Sequence, residues 1–357
     1  MSKKIKVGVI GVGNCFSGLI QGIAFYRRNP GKEVIGLMHK TIGGYSIYDI
    51  QFVSAFDVAK RKVGKLLHKA VYEKPNKVNW LKLNKSKVIV KEAPTLDGIG
   101  KHVKELIEPL ENENRIDEIR KAIVQEIKKT KTKVLVNYLP VGSDKATQFW
   151  AQVALDTKCA FVNCIPSFIA SNKKWEKKFK KAKLPVIGDD IKGQVGATIV
   201  HRTLAKLTAD REVAVDQTYQ LNVGGNTDFL NMKELERLQS KKISKTESVQ
   251  SQLKKRLPDD NIHVGPSDFI PYLGNIKLCF INIKGRMFAN IPFNIEVRLE
   301  VNDKANSGGI VVDCLRFAQK ALDEKNGGFQ KVSCFYMKHP LYQLSDSEAK
   351  KVVEKSK

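Results

Sequence analysis

Apolar residues recur in two registers along this chain, and the register changes a little past its middle. Up to about Gly193, short apolar or β-branched runs alternate with stretches of helical period. Lys4–Ile10, Phe52–Phe56, Val88–Val90, Lys133–Leu139, Cys159–Ile165 and Pro185–Ile187 predict strands. Cys15–Arg28 and Arg115–Lys129 predict helices, and Ser143 is placed to cap a third that runs to about Thr157. This alternation predicts an α/β fold with a doubly wound, mostly parallel sheet whose strand ends face a ligand. Tyr138-Leu139-Pro140 and Asn163 lie at such ends.

Beyond Gln194 a helix, Val195–Leu207, leads into strands of another kind. Gln217–Val223, Ile276–Ile283 and Phe293–Val301 alternate apolar and polar residues, which predicts an antiparallel sheet with one covered face. Asp303–Gly309 then leads into a helix, Ile310–Leu322, followed by a last strand, Val332–Met337, and a charged tail, Asp346–Lys357, that reads as frayed. The shift divides the chain into 1–193, an insertion at 194–302, and a return to the first unit at 303–357.

Composition narrows the class. The 357 residues are 42% hydrophobic and 28% charged, ordinary for a globular chain. No apolar run approaches the roughly 18 residues that suggest a membrane span. The start, MSKKIKVGVIG, enters a strand and makes a poor signal peptide, so a cytoplasmic protein is expected. Six cysteines without a C-x-x-C pair read as free thiols, and six scattered histidines form no metalloprotease motif. The formal charge of +25 comes from widely spread lysine, as in 128–133 and 173–183, without a nucleic-acid-binding signature. No specific nucleic-acid partner is expected, and an anionic substrate suits the charge.

Candidate chemistry begins at Gly11-Val12-Gly13-Asn14, a glycine turn between the first strand and helix, as in dinucleotide-binding folds. Phe16 stands where the fingerprint would have its third glycine, so the motif alone is weak. Asp57 ends the second strand, where a carboxylate accepts from ribose hydroxyls and favours NAD over NADP. Lys32–Ile50 separates it from the glycines and reads as a loop over the cofactor. A second focus is Leu221–Lys245, with Gly224-Gly225, Asn226, Asp228 and a helix carrying Lys241 and Lys245 on one face. The glycine pair allows close approach to a ligand, the lysines suit a sugar phosphate, and the stretch is expected to close over it.

The motifs VGVIGVGNCFSGLIQGI, AFDV, PTLDGIGK, NYLPVGS, GDDIKGQVGAT, LNVGGNTDFLNM, SKKISKT, HVGPSD, LEVNDKANSGG and YMKHPL come in one order over nearly the whole chain. In this the chain resembles the inositol-phosphate synthase (myo-inositol-1-phosphate synthase) family in its compact bacterial and archaeal form. The resemblance implies an NAD-binding Rossmann domain with an inserted α+β catalytic and tetramerisation domain, and a homotetramer. It implies conversion of glucose 6-phosphate to inositol phosphate by oxidation at C5, enolisation, ring closure and re-reduction, with no net redox change. It places catalytic lysines at Lys241, Lys245, Lys277 and Lys338, and carboxylates at Asp190, Asp228 and Asp303. Lys241 is expected near the C5 oxygen, Lys245 near the phosphate and C5, and Lys277 and Lys338 at the remaining oxygens. Asn226 joins Lys241 and Lys245 in binding substrate. Gly11, Gly13, Asn14, Cys15, Asp57, Tyr138, Leu139 and Asp190 are the expected cofactor contacts.

No side chain is an obvious base for C6, which leaves that step to the substrate phosphate. Gly193 and Thr227 depart from the family pattern, which often has Ser and Asn there. Members differ in needing a divalent cation; Asp190 or Asp303 would help hold one, but their spacing does not show it. The rival reading is a plain NAD-dependent sugar-phosphate dehydrogenase, which needs one acid/base group where this chain offers four lysines.

Overall fold

The computed structural model describes residues 3–234 and 239–357. In chain order, β1 (Ile5–Ile10) leads into α1 (Asn14–Arg28), and β2 (Ile50–Asp57) is followed by the short α2 (Leu67–Ala70). β3 (Val90–Glu92) precedes α3 (Lys101–Ile107) and α4 (Ile116–Thr130). Then β4 (Val134–Asn137), α5 (Asp144–Thr157), β5 (Ala160–Asn163), α6 (Lys173–Lys181) and β6 (Pro185–Ile187) continue the alternation. α7 (Ala197–Asp210) crosses to β7 (Ala214–Gly224), and α8 (Thr227–Asn231) and α9 (Gln239–Gln250) connect it to β8 (Ile262–Phe269). β9 (Ile276–Arg286) and β10 (Pro292–Asn302) complete this second sheet. α10 (Asp303–Asp323) returns to the first sheet, which gains β11 (Gly328–Phe329), and α11 (Ser333–Tyr336) and α12 (Asp346–Ser356) follow.

The first sheet has seven strands in the order β11-β6-β5-β4-β1-β2-β3, every neighbouring pair parallel. Its strands are buried on both faces, because alternate side chains enter two different cores. Val7, Val9, Val134 and Val136 pack with α1 and α10, whereas Ile10, Leu135 and Phe161 pack with Ile119, Ile123 and Ile127 of α4 and Trp150 of α5. α10 is buried from Ile310 to Gln319 without a break, as a helix enclosed on all sides must be.

Several expectations need correction. Lys32–Ile50 does not cover the cofactor cavity. It packs against α10 and α12: the buried Arg316 guanidinium donates to the His39 and Lys40 carbonyls at 3.0 Å each, and His39 meets Glu354 at 3.1 Å. The second sheet, ordered β10-β9-β7-β8, is mixed, since β8 pairs parallel with β7. That strand was hidden by Gly265 and Pro266 within it, and the α8–α9 connection supplies the crossover that a parallel pair needs. Val332–Met337 contains a helical turn, α11, and only Met337 forms an isolated bridge, to Ile191. The charged tail is an ordered helix, held by a Ser345–Glu348 capping box and by buried Ala349 and Val353. Helix α10 starts at Asp303, earlier than its apolar period suggested, because the Asn302 side chain caps it. Ser143 donates to the Pro140 carbonyl and does not cap α5; the Asp97 carboxylate accepts from Lys145 and Ala146 N–H instead, at 2.6 and 2.9 Å.

Arg316 also pairs with Asp313, which is itself buried and accepts from the Tyr336 hydroxyl at 3.1 Å. Removing one member of a buried pair strands the other charge. Arg316→Met is therefore expected to lower stability by about 3 kcal/mol, read as a shifted urea unfolding midpoint. A loss under about 1 kcal/mol, the range of an exposed pair, would show that the clamp on Lys32–Ile50 is dispensable.

Candidate active site

Two adjoining cavities open at the carboxyl ends of the parallel strands. The first, of about 910 Å³, is lined by Gly11, Gly13, Asn14, Cys15, Asp57, Tyr138 and Leu139, and by Pro94–Leu96 of the PTLDGIGK motif. Its chemistry suits a dinucleotide. Gly11 has a φ of +87°, and a Cβ there would lie 3.0 Å from the Tyr138 carbonyl oxygen, so the turn needs glycine. A Cβ on Gly13 would meet nothing within 4 Å. No side chain caps α1, and the buried Asn14 Nδ2 has no partner among the described residues, leaving donors for a ligand. Asp57 accepts from Val12 N–H at 2.7 Å and Ala59 N–H at 2.9 Å, with the buried Lys62 ammonium 4.0 Å away. Lys62, absent from the sequence reading, lies in the stretch between β2 and β3 that flanks this cavity.

The second cavity, of about 1000 Å³, is lined by Asp190, Lys241, Lys245, Lys277, Asp303, Lys304 and Lys338 among others. All four expected lysines and all three expected aspartates therefore converge, although they come from both sheets. Cys15, Tyr138, Leu139 and Asp228 line both cavities. Asp190, expected also as a cofactor contact, lines only the second.

Asp190 is placed by its neighbours in sequence. Asp189, fully buried, accepts from Ile169, Ala170 and Ser171 N–H, the Ser171 hydroxyl and the Asn163 amide, at 2.7–3.2 Å. Burial moves its pKa up to about 6 against those hydrogen bonds. So anchored, residues 189–192 pair by backbone hydrogen bonds with 336–339, which sets Lys338 beside Asp190. Asp190 Oδ1 accepts from Lys338 Nζ at 2.9 Å, Oδ2 accepts from the Ser244 hydroxyl at 2.7 Å, and Lys241 Nζ lies 3.6 Å away. Burial opposes its charge, but Lys241 and Lys338 outweigh that and hold the carboxyl below its usual range.

The lysines feel the same fields with opposite sign. Burial lowers Lys338 to about 8, with Lys241 and Lys277 adding to the effect and Asp190 resisting it. Lys245 is also held well below the usual lysine value, by burial and then by Lys277, Lys241 and Lys338. Lys277 Nζ sits 3.6 Å from Asp303. Asp303 is held low against burial by Lys277 and Lys304.

Lys304 was missed, because next to Asp303 it read as one more lysine among many. It is 1% exposed, and its ammonium donates to Asp228 at 2.8 Å, Asp303 at 3.3 Å and Cys15 Sγ at 3.4 Å. Despite burial, those neighbours hold its pKa well above the usual value. The cue available in the sequence was its place at the start of a helix, just after a capping Asn302.

Asn226 lines neither cavity; its side chain caps α8 by accepting from Asp228 N–H at 3.0 Å, while its buried Nδ2 has no partner among the described residues. The glycine pair also differs from expectation. A Cβ on Gly224 would run into the Phe229 ring and one on Gly225 into the Ile270–Gly274 backbone, so chain packing requires them. Gly193 makes room for the Asn306 amide, which a Cβ would meet at 2.7 Å. Thr227 lines the first cavity. The stretch expected to close over substrate includes 235–238, which lie outside the described residues.

Known proteins are similar to this chain over nearly its full length. The family model described as myo-inositol-1-phosphate synthase matches residues 196–304, from the start of α7 to Lys304. The Mycobacterium tuberculosis protein named inositol-3-phosphate synthase is 47% identical over 358 residues, covering 99% of this chain and 95% of its own. A Corynebacterium glutamicum protein of the same name is 45% identical, covering 98% and 97%. The crystal structure of a myo-inositol-1-phosphate synthase-related protein from Thermotoga maritima superposes with a TM-score of 0.81 at 26% identity, covering 98% and 97% of the two chains. With this identity over nearly its full length, the chain belongs to the inositol-3-phosphate synthase family.

Proposed function

We propose that this chain converts D-glucose 6-phosphate to 1D-myo-inositol 3-phosphate (L-myo-inositol 1-phosphate) as an isomerase with NAD as its resident cofactor. The observation that carries this reading is the lysine cluster around Asp190 and Asp303, in a cavity that shares Cys15, Tyr138, Leu139 and Asp228 with the one at the glycine turn. NAD would supply reversible hydride transfer at C5 of the open-chain sugar. Gly11, Gly13 and Asn14 would hold its pyrophosphate, and Asp57 its ribose, with a preference for NAD over NADP.

Lys245, whose charge is disfavoured by burial and by Lys277, Lys241 and Lys338, accepts the C5 hydroxyl proton as the ketone forms. Lys241, beside it on α9, binds the phosphate and steadies the oxygen at C5. The substrate phosphate removes the C6 proton, and the enolate is stabilised by these ammonium groups. C6 then attacks the C1 aldehyde, and Lys338 gives its proton to the oxyanion that appears on C1. Lys277, held by Asp303, supports that oxyanion. On re-reduction Lys245 returns its proton to the C5 oxygen. Asp190 and Asp228 orient the ammonium groups and sugar hydroxyls.

We read the molecule as a cytoplasmic homotetramer divided at 1–193, 194–302 and 303–357. The free cysteines suit a reducing compartment. The exposed apolar groups Tyr219 and Phe280 on the second sheet, with Tyr272, Phe288 and Ile291 near it, suit an interface between copies. Among the described residues, no helix is long and apolar enough to cross a membrane.

Incubation with glucose 6-phosphate and a small amount of NAD is expected to form many inositol phosphates per NAD, with no steady rise in reduced cofactor. Steady accumulation of reduced cofactor without a cyclic product would instead mark a sugar-phosphate dehydrogenase. Lys241→Ala should lower kcat by at least about 10²-fold with folding intact, the scale of losing one charge-stabilising donor. Near-normal turnover would remove Lys241 from the mechanism.

The Lys338 assignment predicts a pH dependence. A proton donor with a free-enzyme pKa of about 8 loses its proton as pH rises through that value. The plot of kcat/KM should therefore fall above about pH 8, by tenfold per unit. Arginine stays protonated there, so Lys338→Arg should be slower but lack that limb. A limb unchanged in the variant would assign it to another group.

A further inference from the structure

The three carboxylates facing the sugar cavity are already matched with ammonium groups. Asp190 meets Lys338 at 2.9 Å and Lys241 at 3.6 Å, and Asp303 meets Lys277 at 3.6 Å and Lys304 at 3.3 Å. Asp228 meets Lys304 at 2.8 Å. The fold makes particular room for Lys304. Its backbone is fixed at the start of α10 by the Asn302 cap, and a Cβ on Gly18 of α1 would lie 3.1 Å from the Lys304 Cβ. A side chain at Gly18 would press on that stem, which would have to shift by a few tenths of an ångström.

A divalent cation fits this donor set poorly. Magnesium needs oxygen ligands at roughly 2.0–2.1 Å in near-octahedral array, and calcium needs six to eight oxygens. The carboxylates that would supply them hold an ammonium instead, whose three N–H bonds are matched by Asp228, Asp303 and the Cys15 sulfur. Among the described residues, no three His, Cys, Asp or Glu side chains form a metal-binding group.

We propose that Lys304 is a built-in cation: its ammonium takes the place a divalent ion would need between Asp228 and Asp303, positions both carboxylates, and makes turnover independent of such an ion. Lys304 is thus a positioning residue at the junction of the two cavities. Its effect on turnover rests on the synthase reading above, whereas its effect on cation binding does not.

The test uses the full-length protein with NAD and takes Mn²⁺ as the probe, followed by electron paramagnetic resonance and by turnover. Wild type treated with a chelator should keep its turnover within about twofold and bind no Mn²⁺ at micromolar concentration. Lys304→Ala leaves two carboxylates facing each other with no cation between them. It should lose turnover on the order of 10²-fold through misplaced groups, bind one Mn²⁺ per chain, and regain at least about tenfold with it. A merely structural role for Lys304 gives no such rescue. Chelator-sensitive wild-type turnover restored by Mn²⁺, or tight Mn²⁺ binding by wild type, overturns the proposal. So does a folded Lys304→Ala that neither binds Mn²⁺ nor responds to it, or one with undiminished turnover in chelator. If Lys304→Ala does not fold, the wild-type arms decide. If wild type makes no inositol phosphate, the synthase reading fails, and Mn²⁺ binding in the two proteins still judges Lys304.

Discussion

A buried carboxylate among ammonium groups sets the terms for the whole site. Asp190 holds Lys338 at 2.9 Å and Lys241 at 3.6 Å where solvent hardly reaches. Two like charges 4 Å apart repel by about 4 kcal/mol at an effective dielectric near 20, so crowded lysines without acids would shed protons or push the walls apart. With an acid for every lysine, no field would remain for an anion. Six lysines, Lys192 and Lys304 included, line the cavity against three aspartates, and this excess of lysine leaves positive field for the phosphate of an anionic sugar.

Assembling that cluster requires both sheets. Asp190 follows β6, and Lys338 reaches it because residues 336–339 pair alongside. Lys277 begins β9, Asp303 and Lys304 begin α10, and Lys241 and Lys245 share one face of α9. All but Lys245, which sits in the middle of α9, lie at or just beyond the end of a regular element, where the backbone is fixed while the side chain lines the cavity. Asp189 shows how the position is secured. Its carboxylate is consumed by five hydrogen bonds to a neighbouring loop, and the chemistry falls to the next residue.

How much of this was legible in the sequence follows from how local each signal is. The parallel sheet could be read because its strands are short apolar runs bounded by helical period, and neither signal depends on distant partners. β8 escaped because Gly265 and Pro266 interrupt its alternation, and its parallel pairing depends on a crossover elsewhere. The tail looked frayed on charge alone, although Ala349 and Val353 find buried positions only in the folded chain. The insertion at Lys32–Ile50 gave no sign of its destination, because the arginine that clamps it lies far along the chain. The four lysines and three aspartates came from ordered motifs, not from spacing. Lys304 stayed hidden because its role is defined by three partners, Cys15, Asp228 and Asp303, of which only Asp303 is near it in sequence.

The meeting of the two cavities accounts for chemistry that begins with an oxidation and ends without one. A dehydrogenase needs its hydride carbon beside the cofactor and an exit for its product. An enzyme that oxidises and re-reduces one carbon must hold the ketone in place while a bond forms elsewhere in the same molecule. Asp228 is the carboxylate common to both cavities, and through Lys304 it is tied to Asp303, which holds Lys277. Charge at the cofactor end and charge at the ring-closing end therefore act on one connected set of groups. Under the proposed assignment, a proton taken up by Lys245 adds positive field at Lys338, with which it already interacts. That coupling suits two half-reactions that have to follow one another without release of substrate.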